Sequence, residues 1–311
     1  GIILNHLKKA LQKLMHGLAS KLKMTYKGII LAGGSGTRLY PSTYVVSKQL
    51  MPVYDKPLIY YPLSTLMIAG IRDILIITTP ESIEQFKQLL GDGSKWGISI
   101  QYSIQEKPNG LAEAFIIGEE FIGDDNVCLV LGDNILYGNS LQSILKSCKK
   151  NTGATIFSYP VVDPERFGIV ETVDGKIVSI VEKPKEPKSN RAVIGIYFFD
   201  RKVVEYAKEV KPSWRNELEL SSIHNAYLED GSLRVEELNR GVTWIDAGTV
   251  DSLLMASNFI ASIEKMQIYK ISCPEEISFN NGWISKDQLN KLAQEQMKSG
   301  YGKYLRSLLH D

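Results

Sequence analysis

The chain has 311 residues, of which 44% are hydrophobic and 23% are charged, and its formal net charge is +1 at pH 7. This composition is typical of a globular protein with a sizeable core, and the small net charge argues against a nucleic-acid-binding protein. No apolar run reaches the roughly 18 residues of a membrane-spanning helix, and the N-terminus lacks the pattern of a secretory signal. The cysteines show neither metal-binding nor disulfide spacing, so we expect a reducing, cytoplasmic location; they are Cys128, Cys148 and Cys273.

The N-terminal segment, residues 1–23, carries five lysines and no acidic residue. Leucines at steps of three and four residues give it one apolar stripe, which predicts an amphipathic helix. Such a helix would suit a membrane surface or a partner protein. The plainer interpretation is a tag or an upstream extension, because a strand-like segment begins directly after Met24.

The first half of the chain alternates between short apolar strands and helix-like segments. The alternation predicts a mainly parallel sheet covered by helices on both faces. In open α/β sheets of this kind, ligands bind beyond the carboxyl ends of the strands. The predicted strands are at 28–32, 73–78, 98–104 and 127–131, and the predicted helices are at 62–70, 83–90 and 111–121.

The second half is richer in strands and ends in helices. Turn signals between some of these strands predict an added mixed or antiparallel layer. We therefore predict a Rossmann-like α/β fold with an added β layer, divided into an extension at 1–23, a domain at 24–250 and a helical segment at 251–311. The predicted strands are at 155–161, 168–172, 177–182, 193–199 and 233–237, and the predicted helices are at 251–265, 286–298 and 301–309.

The strongest local signal follows the first strand, where the LAGGSGTR segment of residues 31–38 places three glycines within four residues. Glycines allow backbone N–H groups to approach a phosphate closely. The loop is not a phosphate-binding P-loop, because it ends in Thr37-Arg38. Nor is it the fingerprint of a nicotinamide-dependent dehydrogenase, because Leu39 occupies the position of the third glycine. Arg38 and Lys48 are two cations that can converge on a triphosphate.

Two aspartates at strand ends form a second signal. Asp133 follows the strand at 127–131, and Asp246 lies in the WIDAG segment of residues 244–248. Mg²⁺ takes oxygen ligands, usually one or two protein carboxylates together with substrate phosphates. Either aspartate alone would serve equally well as a turn cap, so the pair is what indicates a metal site.

Polar groups in two further segments fit phosphate, hydroxyl and base recognition. In the VEKP segment of residues 181–184, Lys183 suits a phosphate and Glu182 suits hydroxyl groups, although the same segment would also serve as a plain strand end. The Gln105 amide can pair with both donors and acceptors on a pyrimidine edge. No Ser-His-Asp or Cys-His arrangement is evident, and covalent catalysis is not needed.

These segments together resemble the signature of the sugar-nucleotide pyrophosphorylases, and specifically of the glucose-1-phosphate thymidylyltransferases. The resemblance covers essentially all of residues 24–311. Beyond the segments above, it is carried by SKQLMP at 47–52, YDKP at 54–57, IYYP at 59–62, GIRD at 70–73, DPER at 163–166 and CPEE at 273–276.

The resemblance implies an in-line displacement in which glucose 1-phosphate attacks dTTP, giving dTDP-glucose and pyrophosphate for deoxysugar biosynthesis, with Mg²⁺ as cofactor. Arg38 and Lys48 would be the catalytic cations, and Asp133 and Asp246 would hold the metal. The nucleotide would contact Leu31, Gly33, Gly34, Gln105 and Gly110, and the sugar phosphate would contact Gly168, Glu182, Lys183 and Val193 in the added β layer.

The resemblance has two local departures and leaves two alternatives open. The family usually has threonine at the position of Ala247, and this chain also differs from it between Gln105 and Gly110. The helical tail resembles the family's assembly segment, which implies a homotetramer, a dimer of dimers, with a second nucleotide site for feedback inhibition. One alternative is a UDP- or CDP-glucose pyrophosphorylase, since one methyl group gives only about 1–3 kcal/mol of discrimination. The other is a non-catalytic regulatory module that binds sugar nucleotides, which would be expected to lack the cations or aspartates named above.

Overall fold

One nine-stranded sheet forms the centre of the computed structural model, which describes residues 25–310. The predictions for residues 1–23 lie outside the described residues. The sheet order is β10-β9-β11-β6-β1-β4-β5, with β8 beside β11 and β12 beside β8. The strands are β1 (Tyr26–Ala32), β2 (Pro52–Val53), β3 (Lys56–Pro57), β4 (Asp73–Thr78), β5 (Ser99–Ile104), β6 (Asn126–Leu131), β7 (Asn134–Gly138), β8 (Ala154–Pro160), β9 (Gly168–Val173), β10 (Lys176–Glu182), β11 (Arg191–Phe199), β12 (Leu233–Glu237) and β13 (Val242–Asp246).

Helices cover the sheet on both faces and make up the C-terminal part of the chain. Within the described residues, no helix is both long enough and apolar enough to cross a membrane. The helices are α1 (Tyr60–Ile68), α2 (Ile83–Leu90), α3 (Glu113–Ile117), α4 (Glu119–Ile122), α5 (Leu141–Cys148), α6 (Val203–Glu209), α7 (Leu220–Glu229), α8 (Val250–Gln267), α9 (Pro274–Asn280), α10 (Lys286–Glu295) and α11 (Gly300–Ser307).

The apolar strands of the first half of the chain form the parallel part of the sheet, as predicted. β1 pairs in parallel with β4 and with β6, and β4 pairs in parallel with β5. Leu31 lies opposite Leu131 in β6. The loops that follow β1 and β6 therefore leave the sheet side by side, at the carboxyl ends where ligands bind in such sheets.

The strands of the second half continue this sheet and are mostly antiparallel, although β12 pairs in parallel with β8. β11 pairs with β6, with β8 and with β9, and β9 pairs with β10, all antiparallel. The predicted mixed or antiparallel layer is thus a mixed extension of the same sheet. Strands of this extension line the same cleft as the glycine-rich loop.

A separate two-stranded ribbon, β7 and β13, was not predicted. The two strands are antiparallel, and Asp246 at the end of β13 lies opposite Asn134 at the start of β7. These strands are distant in sequence, so only the tertiary fold brings them together.

The prediction of one helix at 111–121 is wrong, because two short helices, α3 and α4, occupy this segment and meet at Gly118. A Cβ at Gly118 would lie 2.9 Å from Ile29 Cδ1 of β1 and 2.9 Å from the Ala114 carbonyl oxygen. Close packing against the sheet therefore requires glycine at this position, and glycine weakens a helix interior by about 1 kcal/mol.

The C-terminal helices share a core with the first strand. Cys273, Leu289, Tyr301 and Leu305 belong to the same buried cluster as Ile30 of β1 and the apolar side of α1. The predicted helix at 286–298 is shorter in the structure, since α10 ends at Glu295. A division of the chain at residue 250 stays a prediction.

A buried ion pair ties α8 to the short hairpin formed by β2 and β3. Lys56 Nζ lies 2.9 Å from Glu264 Oε1, and the two side chains are 1% and 5% exposed. Glu264 also accepts a hydrogen bond of 2.8 Å from the Ile271 backbone N–H and pairs with Lys270 at 3.0 Å. Buried charges are stable only when they are paired in this way.

We expect Lys56→Met to lower the free energy of unfolding by about 3 kcal/mol, because it leaves buried carboxylate charge only partly compensated. Urea unfolding at pH 7.5 measures this. The control is Lys87→Met, whose partner Glu84 is 79% exposed, and it should change stability by less than about 0.5 kcal/mol. Equal effects in the two variants would contradict a structural role for the buried pair.

Candidate functional site

A cleft of about 390 Å³ lies at the carboxyl ends of β1 and β6. Every residue that the sequence analysis assigned to a site lines this cleft, although the individual roles stay predictions. These residues are Leu31, Gly33, Gly34, Arg38, Lys48, Gln105, Gly110, Asp133, Gly168, Glu182, Lys183, Val193 and Asp246.

The glycine-rich loop forms one wall of the cleft. Gly34 adopts a φ of 97°, a conformation that non-glycine residues rarely adopt. The loop then enters a 3₁₀ turn, Thr37–Leu39, which buried Leu39 anchors to the core. This turn directs Arg38 across the cleft, since a Cβ on Gly248 would lie 3.4 Å from Arg38 Nη2.

Lys48 reaches the cleft from a second 3₁₀ turn, Lys48–Leu50. Its ammonium group forms an ion pair with Asp133 Oδ2, and both side chains are largely buried. Gln49, the next residue, donates from Nε2 to the Gly33 carbonyl oxygen at 3.5 Å. The two segments that carry Arg38 and Lys48 are therefore linked to each other.

The ribbon of β7 and β13 brings the two aspartates together. The Ala247 backbone N–H donates to the Asp133 carbonyl oxygen at 2.9 Å, directly beyond the end of β13. Asn134 Nδ2 donates to Asp133 Oδ1 at 3.0 Å, while Asn134 Oδ1 accepts from the Gly195 N–H and from Trp244 Nε1. Asn134 was not predicted, and it fixes the carboxylate of Asp133 from one side.

The pKa values of the two aspartates are shifted in opposite directions. Burial opposes ionisation of Asp133, but the charge of Lys48 and hydrogen bonds from Lys48 and Asn134 outweigh it and lower the pKa. Burial and the nearby charge of Asp133 raise the pKa of Asp246 to about 6, against attraction from Lys48, Arg38 and Arg166. The site therefore crowds negative charge, and a bound cation would relieve this repulsion.

This donor set fits a hard divalent cation that shares its ligands with a substrate. Within residues 25–310, no group of three or more His, Cys, Asp or Glu side chains could hold a metal ion on its own. Two carboxylates match the number that Mg²⁺ usually takes from a protein when phosphates supply further oxygens. Asp133 and Asp246 are the residues that would hold it.

The opposite wall is built from β9, β10 and β11. Gly168 lies opposite Glu182, and a Cβ on Gly168 would lie 3.1 Å from Glu182 Oε2. Burial, with repulsion from Glu219, raises the pKa of Glu182. Lys183 has a φ of 44° while its N–H donates to the Phe167 carbonyl oxygen at 3.0 Å. Such backbone strain in a non-glycine residue concentrates at binding sites.

Two arginines in the cleft were missed as site residues. Arg215 Nη2 lies 2.8 Å from Glu217 Oε1, and its Nη1 lies 3.3 Å from Glu219 Oε1 and 3.8 Å from Glu182 Oε1. Arg166 pairs with Asp163 and lies 4.0 Å from Asp246 Oδ2. Arg166 could have been found from the sequence, because it belongs to the DPER segment that carries part of the family resemblance. Arg215 lies between α6 and α7, in a segment that contains no recognisable motif.

The chain is similar to known proteins over most of its length. The nucleotidyl transferase family profile matches residues 27–263. The chain is 60% identical over 285 residues to a glucose-1-phosphate thymidylyltransferase of Neisseria meningitidis. The aligned residues make up 91% of this chain and 99% of the relative.

Two solved structures are similar in fold. One is a Bacillus anthracis glucose-1-phosphate thymidylyltransferase in complex with sucrose, with a TM-score of 0.70 and 44% identity, covering 76% of this chain and 95% of the other. The other is a UDP-glucose pyrophosphorylase complexed with UDP-glucose, with a TM-score of 0.68 and 25% identity, covering 78% of this chain and 100% of the other.

The raised pKa of Asp246 predicts that Asp246→Asn stabilises the metal-free protein. In the folded state the pKa of this carboxyl is about 6, whereas its ordinary pKa is 3.8. The free energy of unfolding therefore falls as pH rises from 3.8 to 6. At pH 7.5 the ionised carboxylate lowers the free energy of unfolding by its full penalty of about 3 kcal/mol. Asparagine removes that penalty.

Urea unfolding in EDTA should show Asp246→Asn to be more stable than the wild type at pH 7.5, with roughly half of this gain left at pH 5. Asp251→Asn, five residues on at the exposed start of α8, serves as the control and should show no such gain. A destabilised Asp246→Asn variant at pH 7.5 would show that the ionised carboxylate of Asp246 does not destabilise the folded protein.

Proposed function

The chain belongs to the nucleotidyl transferase family, and on this basis we propose that it joins dTTP to glucose 1-phosphate, forming dTDP-glucose and releasing pyrophosphate. The observation that carries the proposal is the cleft itself. It gathers a carboxylate pair and five cationic side chains between a glycine-rich loop and a wall that carries Glu182. Two anionic substrates and a metal ion need this combination of charges.

The reaction is an in-line displacement at the α-phosphorus of dTTP. A phosphate oxygen of glucose 1-phosphate forms the new P–O bond, and the bond to pyrophosphate breaks on the opposite side. The nucleophile is already an anion, so no general base is required, and catalysis consists of positioning and charge stabilisation. One phosphoanhydride replaces another, so the reaction runs readily in both directions.

Four of the five cations of the cleft have a place in this scheme. Arg38, on the glycine-rich loop, holds the triphosphate and stabilises the leaving pyrophosphate. Lys48 forms an ion pair with Asp133 and stabilises the negative charge of the α-phosphate. Lys183 and Arg215, on the opposite wall, hold the incoming phosphate and offset its repulsion from the nucleotide.

Mg²⁺ held by Asp133 and Asp246 would act as a Lewis acid on the phosphate oxygens. The ion pair between Lys48 and Asp133 keeps one of these carboxylates ionised. Hydroxyl groups of the sugar meet Glu182 and the Gly168 backbone, whose strands are paired. Ala247 replaces the usual threonine, but its backbone N–H still supports Asp133.

We also propose that the chain assembles as a homotetramer and supplies deoxysugar biosynthesis. Support for assembly comes from α8, a helix that leaves large apolar side chains exposed; they are Val250, Leu254, Met255 and Met266. A UDP-glucose pyrophosphorylase is less well supported, because the identity to the solved example is lower than to the thymidylyltransferases. A non-catalytic module would not need the full set of cations and carboxylates that lines this cleft.

Pyrophosphate release tests the proposed function directly. Purified protein is mixed with glucose 1-phosphate, Mg²⁺ and one of dTTP, UTP, CTP, GTP or ATP. We expect strong release with dTTP, weaker release with UTP and none in EDTA, because a metal ion offsets the charge of the phosphates. If another nucleotide gives the strongest release, the proposed mechanism stands and the proposed nucleotide substrate is wrong. If no pyrophosphate is released with any nucleotide or sugar 1-phosphate, the proposal is contradicted.

Arg38→Ala should lower kcat by about 10²–10³-fold, because it removes charge stabilisation at the leaving pyrophosphate. Steady-state kinetics with saturating dTTP and glucose 1-phosphate measures this. Arg201→Ala, which removes an exposed arginine paired with Asp124, is the matched control and should leave kcat unchanged. A loss of less than about tenfold in Arg38→Ala would remove this residue from its proposed role.

A further inference from the structure

The orientation of one amide at the nucleotide end of the cleft is fixed by chemistry. Gln105 is 6% exposed, and its Nε2 donates to Glu113 Oε2 at 2.7 Å and to the Gly110 carbonyl oxygen at 3.3 Å. A carboxylate accepts hydrogen bonds and has none to donate. The NH₂ group of Gln105 must therefore face Glu113, and its carbonyl group must face the other way.

The carbonyl group of Gln105 faces the glycine-rich loop. A Cβ placed on Gly33 would lie 3.0 Å from Gln105 Oε1, and both residues line the cleft together with Gly110. A ligand at this end of the cleft thus meets an acceptor on Gln105. The sequence alone left both faces of this amide open.

Glu113 is itself held in place from two sides. Its second oxygen, Oε1, accepts a hydrogen bond of 2.8 Å from Asn109 Nδ2. The Asn109 carbonyl oxygen in turn accepts from the Leu218 N–H at 2.7 Å, and the Ala112 N–H donates to the Leu218 carbonyl oxygen at 3.0 Å. The loop of residues 105–110 and the first turn of α3 therefore form one hydrogen-bonded unit around this carboxylate.

We propose that Glu113 is a positioning residue that sets base specificity by holding Gln105 with its acceptor towards the base. Thymine and uracil present an N3–H donor, which this acceptor fits. Cytosine presents a bare N3, so two acceptors would face each other and both would lose a hydrogen bond. This inference rests on the proposed function, since it places the base of the triphosphate beside Gln105.

The acceptor on Gln105 discriminates against cytosine, but it does not discriminate between thymine and uracil. Sites built to hydrogen-bond a particular group reject an analogue that lacks it far more strongly than they reject a missing methyl group. We therefore expect dTTP and dUTP to differ little at this contact and dCTP to be weaker by at least about 100-fold.

The test substitutes Glu113→Gln and compares dTTP, dUTP and dCTP, all with the same sugar. An amide at position 113 can donate as well as accept, so Gln105 can turn over and offer its NH₂ group to the N3 of cytosine. Turning over then costs only the longer hydrogen bond to the Gly110 carbonyl oxygen. We expect the ratio of kcat/KM for dCTP to that for dTTP to rise at least tenfold, mainly through KM for the nucleotide. The dUTP-to-dTTP ratio and KM for glucose 1-phosphate should stay within about twofold.

The matched control is Glu119→Gln, the same substitution at an exposed carboxylate that pairs with Lys208. It should leave every ratio unchanged. Equal losses with all three nucleotides in Glu113→Gln would indicate a purely structural role and overturn the inference, as would an unchanged dCTP-to-dTTP ratio.

Calorimetry of dTTP and dCTP binding in EDTA gives the same comparison without turnover. We expect Glu113→Gln to narrow the gap between the two Kd values at least tenfold; an unchanged gap would overturn the inference. A wild-type protein that binds dTTP but releases no pyrophosphate would refute the proposed function while leaving the base-specificity test in force. The two failures are thereby distinguishable.

Discussion

The site depends on the pairing of β7 with β13, which sets Asp246 opposite Asn134 and so beside Asp133. Without this ribbon the two carboxylates would stand on unrelated loops more than a hundred residues apart in sequence. Like charges held this close repel each other, and the pKa of Asp246 is raised by burial first and by the charge of Asp133 second. The fold keeps them together with neutral contacts, namely the backbone hydrogen bonds of the ribbon and the side chain of Asn134.

The cations of the cleft are distributed so that each anionic group has a partner before any substrate arrives. Lys48 pairs with Asp133, Arg166 lies near Asp246, and Arg215 lies among three glutamates. A phosphate that enters must exchange these internal pairs for new ones. Binding energy is then gained as a difference between two sets of ion pairs, which favours ligands whose charges match the geometry of the walls.

The sequence predicts the elements whose signal is local. β4 and α2 were predicted with the bounds that the structure has, because a continuous apolar run and a regular apolar stripe depend only on neighbouring residues. β7 and β13 escaped prediction because each pairs only with a strand more than 100 residues away in the chain. The break at Gly118 likewise depends on Ile29, a residue in another element.

The same division holds in the cleft. The glycine-rich loop and the two aspartates stand in recognisable segments, whereas Arg215 reaches the cleft only because the chain folds back before α7. The orientation of Gln105 could not be predicted either, since it depends on Glu113 eight residues further on. Residue types indicate what a site can bind, and contacts between distant segments decide how each group is presented.

The core that joins Ile30 of β1 to Tyr301 and Leu305 of α11 has a consequence for synthesis of the chain. A ribosome adds about 5–20 residues per second and releases the N-terminal part first. The cluster that begins at the first strand is therefore completed only some tens of seconds later, at the slower of these rates, when the last helix emerges. Part of the apolar surface of this cluster stays accessible to chaperones in that interval, and a chain that stops short of α11 leaves that part uncovered.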